Sequence, residues 1–164
     1  MAQSLAKLWT HLIFSTKERF PFLSDKSIRA DMHAYLATVL RNHDCQTLIV
    51  GGVADHVHAL FSLSRNYSIA TIVNEIKRTS STWIKDISPL QAKFHWQNGY
   101  GAFAVSQSEL GRVINYIEAQ EEHHRGSHSK MSFEYFSRSM KLNTTNGMCG
   151  TEVLVNPFRA HRAC

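Results

Sequence analysis

Four side chains in this sequence have the types and spacing needed to cut a phosphodiester. His56 and His58 stand two apart in the run Asp55-His56-Val57-His58-Ala59-Leu60, and Tyr116 and Gln120 stand four apart later in the chain. On a strand, residues two apart point to the same face, with Val57 turned to the other. On a helix, residues four apart stack on one side. A helix packed beside that strand would gather two imidazoles, an amide oxygen and a phenol around one point. Two neutral histidines with an oxygen donor and open positions suit Mg2+, Mn2+ or another divalent ion. Asp55 adjoins the pair, where it can orient an imidazole from behind. The plainer alternative is an HxH pair that only packs, beside a tyrosine that only flanks a helix stripe.

The elements that must position these residues are legible from periodicity. Leu8 to Thr16 reads as a strand, broken by the charges and proline of Lys17-Glu18-Arg19-Phe20-Pro21-Phe22. Ile28, Met32, Tyr35, Leu36, Val39 and Leu40 recur at helical spacing, with Ser24 or Asp25 available as the cap. Cys45 to Val50 reads as a second strand, Gly51-Gly52 as a turn, and His56 to Leu63 as a third strand. Ser68 caps a helix whose apolar face is Ile69, Ile72, Val73, Ile76, Trp83 and Ile84. Short strands follow at Phe94 to Trp96 and Ala102 to Ser106, then a helix from Ser108 to His124.

In that last helix the apolar stripe is Leu110, Val113, Ile114 and Ile117. At about 100° per residue Tyr116 falls roughly 110° from the centre of the stripe, with Arg112 and Gln120 near it. His123 and His124 read as capping or core residues in the last turn. The order strand, helix, strand, strand, helix, strand predicts an α+β fold. It is a ferredoxin-like (RRM-like) antiparallel sheet with helices on one face, plus a C-terminal helix carrying the nucleophile. The third strand, with both histidines, is central in that topology. One domain is expected over residues 1–137, followed by a tail over 138–164 that lacks sustained periodicity and reads as a loose extension or an added edge strand.

Composition narrows the partner. Eighteen Lys and Arg against thirteen Asp and Glu give a net charge of +5, which favours a polyanion. The basic candidates for nucleic-acid contact are Lys17, Arg19, Lys77, Arg78 and Arg112, with Phe20, Phe22, Trp83, Trp96 and Tyr100 available to stack on unpaired bases. Arg112 can equally serve to solvate its helix. No apolar run reaches the length of a membrane span, no secretory signal core is visible, and no nucleotide-binding loop is present. Cys45, Cys149 and Cys164 have neither metal nor redox spacing, so a reducing cytoplasm is expected.

The runs His11-Leu12-Ile13-Phe14-Ser15-Thr16-Lys17, Asp55-His56-Val57-His58, Phe94-His95-Trp96-Gln97-Asn98-Gly99-Tyr100-Gly101-Ala102-Phe103 and Tyr116-Ile117-Glu118-Ala119-Gln120 resemble, in this order, the IS200/IS605-like transposases. These are the single-tyrosine HUH enzymes, which include the REP-associated tyrosine transposases. The resemblance implies that His56, His58 and Gln120 ligate a divalent metal and that Tyr116 is the nucleophile. It implies further a 5′-phosphotyrosine intermediate, single-stranded DNA with a hairpin at element ends as partner, and a homodimer in which Tyr116 serves its own or the partner's histidines. The stretch after Ser137 departs from the usual family ending.

Overall fold

The computed structural model describes residues 6–120. The strands are β1 (Trp9–Ser15), β2 (Gln46–Gly52), β3 (His56–Ser62) and β4 (Gly101–Val105). The helices are α1 (Lys26–Asn42), α2 (Ile69–Ile87) and α3 (Leu110–Glu118), with single 3-10 turns at Lys17–Arg19, Pro89–Gln91 and Gln107–Glu109. All four strands join one antiparallel sheet in the order β2-β3-β1-β4, so the histidine strand is interior. The expected strand and helix order and the ferredoxin-like sheet are present.

Alternation along the strands separates two faces. Leu12 and Phe14 of β1 lie opposite Ala59 and Val57 of β3. With Phe61 they form the main core against Met32, Leu36, Val39 and Leu40 of α1 and Ile72, Val73, Ile76 and Ile84 of α2. An aromatic group of Phe14, Phe94, Trp96 and Phe22 closes one end of this core through edge-on contacts. Asp25 caps α1 by accepting from the N–H groups of Ser27 and Ile28, and Ser68 caps α2 by accepting from Thr71 N–H. Each such cap contributes about 1 kcal/mol. The other face of the sheet carries His11, His56, His58 and Leu60, and α3 packs there through Leu110, Val113 and Ile117.

Three boundaries differ from the sequence expectation. Gly51 and Gly52 are not the turn but the last residues of β2, paired with His58 and Val57. The turn is made by Val53 to Asp55, with Val53 N–H donating to the His56 carbonyl. Gly52 has φ +150, and a Cβ there would collide with that same carbonyl oxygen. Phe94 to Trp96 forms a single bridge, Thr16 to Trp96, because Phe94 N–H is taken by Gln91 of the preceding 3-10 turn. Finally, α3 starts at Leu110 after a 3-10 turn, with a turn at Ala119 between Glu118 and Gln120, which is helical again; the expected end at His124 lies outside the described residues. His123, His124 and the expected boundary at residue 137 lie outside the described residues.

Candidate active site

β3 delivers both imidazoles to the face that α3 covers. His56 and His58 are 1% and 0% exposed, with ring centroids 5.1 Å apart and nearly perpendicular. Each has its Nδ1 engaged from behind. His56 Nδ1 lies 2.7 Å from Asp55 Oδ1, and His58 Nδ1 lies 3.0 Å from His11 Nε2. With Nδ1 held, Nε2 is the nitrogen each ring can offer to a ligand. Asp55 is itself fixed: its carbonyl accepts from both the backbone N–H and the Oγ1 of Thr16, and its Oδ2 lies 3.4 Å from Arg19 Nη1.

Tyr116 meets this pair from α3. Its half-buried ring stands edge-on to His58, centroids 5.7 Å apart, and to His11 at 6.3 Å. Gln120, one turn on, is 2% exposed. Its Nε2 donates to the Tyr116 carbonyl at 3.3 Å, and among the described residues nothing hydrogen-bonds its buried Oε1. An unmet buried amide oxygen costs about 1–3 kcal/mol, and a cation is one way to meet it. Among the described residues no three His, Cys, Asp or Glu form a metal cluster. The donors these residues could offer a divalent ion are two imidazole nitrogens and the Gln120 amide oxygen.

What lets α3 come this close is a glycine. Gly51 lies directly opposite His58, and a Cβ on it would stand 2.7 Å from Ile117 Cγ2. At the other end of the helix, Trp9 Nε1 donates to Gln107 Oε1 at 2.8 Å, tying the entry of α3 to β1. Neither Gly51 nor His11 was singled out for the site from sequence. The available signal for His11 was its even spacing from Ile13 and Ser15 on the same strand face.

The basic candidates spread over two layers. Arg19 reaches the site through Asp55, and Lys17 is exposed beside it. Glu18 and Arg19 both adopt left-handed backbone, φ 56 and 54, with Gln97 Oε1 accepting from Glu18 N–H. Such strain costs roughly 1–3 kcal/mol per residue and gathers at functional segments. Lys77 donates from Nζ to the carbonyls of Gln97 and Gly99, so it anchors the loop before β4. Burial pushes it down to about 8, which leaves it charged at neutral pH. Arg78 pairs with Glu75 on α2, whereas Arg112 pairs with Glu109 at the start of α3 on the opposite side of the sheet. Of the aromatic candidates, Trp96 is in the core, Phe22 packs on Phe94 and Trp83 stacks on Tyr35, leaving Phe20 and Tyr100 exposed.

His11 is fully buried, and that burial pushes its pKa down to about 4. An unfolded chain would take up this proton near pH 6.5. Between those values the unfolded state binds more protons, so stability is full above pH 6.5 and falls as the pH drops towards 4. The total is about 3 kcal/mol. Denaturant melts at pH 7 and pH 4.5 should therefore lose less stability on acidification in His11→Phe than in the unsubstituted protein. Equal acid losses would contradict the assignment.

The sequence profile described as "transposase IS200 like" matches residues 4–120, most of the chain. This chain belongs to that family of transposases. Two solved structures share its fold. One is a protein assigned as a transposase from Deinococcus radiodurans R1, 22% identical, with a TM-score of 0.57 over 73% of this chain and 95% of that one. The other is a REP-associated tyrosine transposase bound to a REP hairpin, 14% identical, with a TM-score of 0.55 over 76% of this chain and 73% of that one. No curated protein sequence matches the chain. No helix among the described residues of this transposase is long and apolar enough to cross a membrane.

Proposed function

We propose that this transposase cleaves and rejoins single-stranded DNA through a 5′-phosphotyrosine intermediate. Tyr116 is the nucleophile, and His56, His58 and Gln120 hold a divalent metal, Mg2+ or Mn2+. The observation that carries the reading is the seat of the Tyr116 ring edge-on to His58, with the buried Gln120 oxygen one turn away. When bound, the ion supplies positive charge that offsets the negative charge growing on the scissile phosphate.

The Tyr116 oxygen attacks phosphorus as the bond to the 3′ oxygen breaks. The phenolic proton is lost, and the leaving 3′ oxygen takes up a proton. The 5′ end of the DNA is then an ester of Tyr116. A 3′-hydroxyl later attacks that ester and releases the tyrosine, so strands are exchanged with the bond energy conserved and no nucleotide cofactor is needed. Asp55 and His11 engage the Nδ1 atoms of His56 and His58, so Nε2 is the atom each ring would present to the metal.

The partner in this reading is single-stranded DNA bearing a hairpin, met through phosphate by Lys17 and Arg19 beside Asp55 and by Arg112 on the α3 side of the sheet, while Arg78 and the loop anchor Lys77 lie on α2. The hairpin-bound structure of a protein with the same fold supports that substrate by analogy. The active unit is a homodimer, as the family resemblance implies.

The test is incubation with labelled single-stranded hairpin DNA and Mg2+ or Mn2+, followed by a denaturing gel. A covalent protein–DNA adduct that forms with metal and is lost with chelator is the expected result. Cleavage without an adduct would instead mean a phosphodiester hydrolase using water. Binding with neither product would mean a hairpin-binding protein that does not cut.

A further inference from the structure

His11 lies on β1, two residues from Ile13, which pairs directly with His58, so the two imidazoles are diagonal neighbours on one sheet face. Their rings stack with centroids 5.2 Å apart and planes inclined by 26°. A hydrogen bond between two imidazoles has two polarities. If His11 Nε2–H donated, His58 would carry its proton on Nε2 and have no lone pair there for a metal. If His58 Nδ1–H donates, the Nε2 lone pair is free to ligate. Only one polarity is compatible with a metal at His58.

We propose that His11 is the positioning residue for His58: its Nε2 accepts the Nδ1–H of His58 and keeps the Nε2 lone pair of that ring directed at the metal. The inference rests on the metal-site reading proposed above. The two ligand histidines are thus supported unequally. His56 donates to the Asp55 carboxylate, an acceptor that permits one polarity, whereas His58 donates to an uncharged ring. A carboxylate in place of His11 would set a buried negative charge beneath the Tyr116 ring, which lies edge-on to both histidines. An imidazole offers an acceptor to His58 without that charge and packs against the tyrosine ring.

Two measurements test this. Long-range 1H–15N spectra of the metal-free protein should report His58 as the Nδ1–H tautomer; an Nε2–H tautomer would overturn the proposal. Mn2+ titration followed by EPR should give about 10–100-fold weaker binding for His11→Phe, the usual cost of removing a partner that orients a ligand. His11→Gln, whose amide oxygen can accept the same proton, should recover most of that loss. A folded His11→Phe protein that binds Mn2+ as the unsubstituted protein does would sink the inference and leave the metal site standing. Failure of the unsubstituted protein to bind Mn2+ would instead remove the metal site. If His11→Phe does not fold, the tautomer spectrum decides alone.

Discussion

Tyr116→Phe should abolish both the covalent adduct and strand cleavage, on the order of 10^4-fold or more, while hairpin binding and folding persist. The size follows from the proposed role of Tyr116, because the substitution would remove the nucleophilic atom itself and leave only groups that stabilise charge. The stability cost should be small, because the half-buried ring keeps its edge-on contacts with His58 and His11 and only the hydroxyl is lost. A denaturing gel reads the adduct, a mobility shift reads binding, and a thermal melt reads the fold. Undiminished cleavage in this variant would hand the role to water. An adduct that survives would point to another phenol, and Tyr100, exposed in the loop before β4, is the one to replace next.

Gly51→Val should also silence the enzyme, although residue 51 need never touch DNA. Even a lone Cβ at this position would stand 2.7 Å from Ile117 Cγ2, and that methyl group sits on a branched carbon next to the helix backbone, where it cannot swing away. The sheet is pinned by the main core on its other face, so α3 is the element that yields. It carries Tyr116, with Gln120 just beyond its end. A displacement of about 1 Å at a reacting group costs roughly 10^2-fold in rate. We expect a loss of 10^2-fold or more in adduct formation with about 1–3 kcal/mol of destabilisation. The milder Gly51→Ala should show the same defect in part, and Ile117→Ala in combination should relieve it by removing the clashing methyl. Full activity in Gly51→Val, or no relief in the double variant, would count against the close approach of α3 as the positioning device.

The two variants probe different kinds of information. Tyr116 is visible in the sequence because it departs from a pattern: of the predicted stripe Leu110, Val113 and Ile117 are buried and Ile114 is half-buried, and Tyr116 lies to one side of it. The Asp25 and Ser68 caps, the amphipathic α1 and α2, and the alternation that puts Val57 in the core and His56 and His58 on the opposite face were legible for the same reason. Each is a local rule acting over a few residues. Asp55 beside His56 was readable because the contact is between chain neighbours.

A glycine pair near a strand end is a good local turn signal, but Gly51 and Gly52 end β2 instead, and the need for a bare backbone at residue 51 arises only when Ile117 arrives from a distant part of the chain. The charge of Lys77 is plain in the sequence, but the carbonyls of Gln97 and Gly99 that its ammonium meets are supplied by a distant loop. The turn at Ala119, between Glu118 and a Gln120 that is helical again, leaves no mark on the periodicity of the sequence.

The sequence by itself determined the four main strands and three helices, their order, the opposite faces of Val57 and the two histidines, and the chemical types available for the reaction, because those follow from short-range periodicity and composition. Tertiary structure alone decided that His11 stands behind His58, that Arg19 reaches His56 through Asp55, and that a missing side chain at Gly51 lets the tyrosine helix settle on the histidine strand. Those are contacts between segments far apart in the chain, and their geometry depends on how sheet register and helix packing are satisfied together.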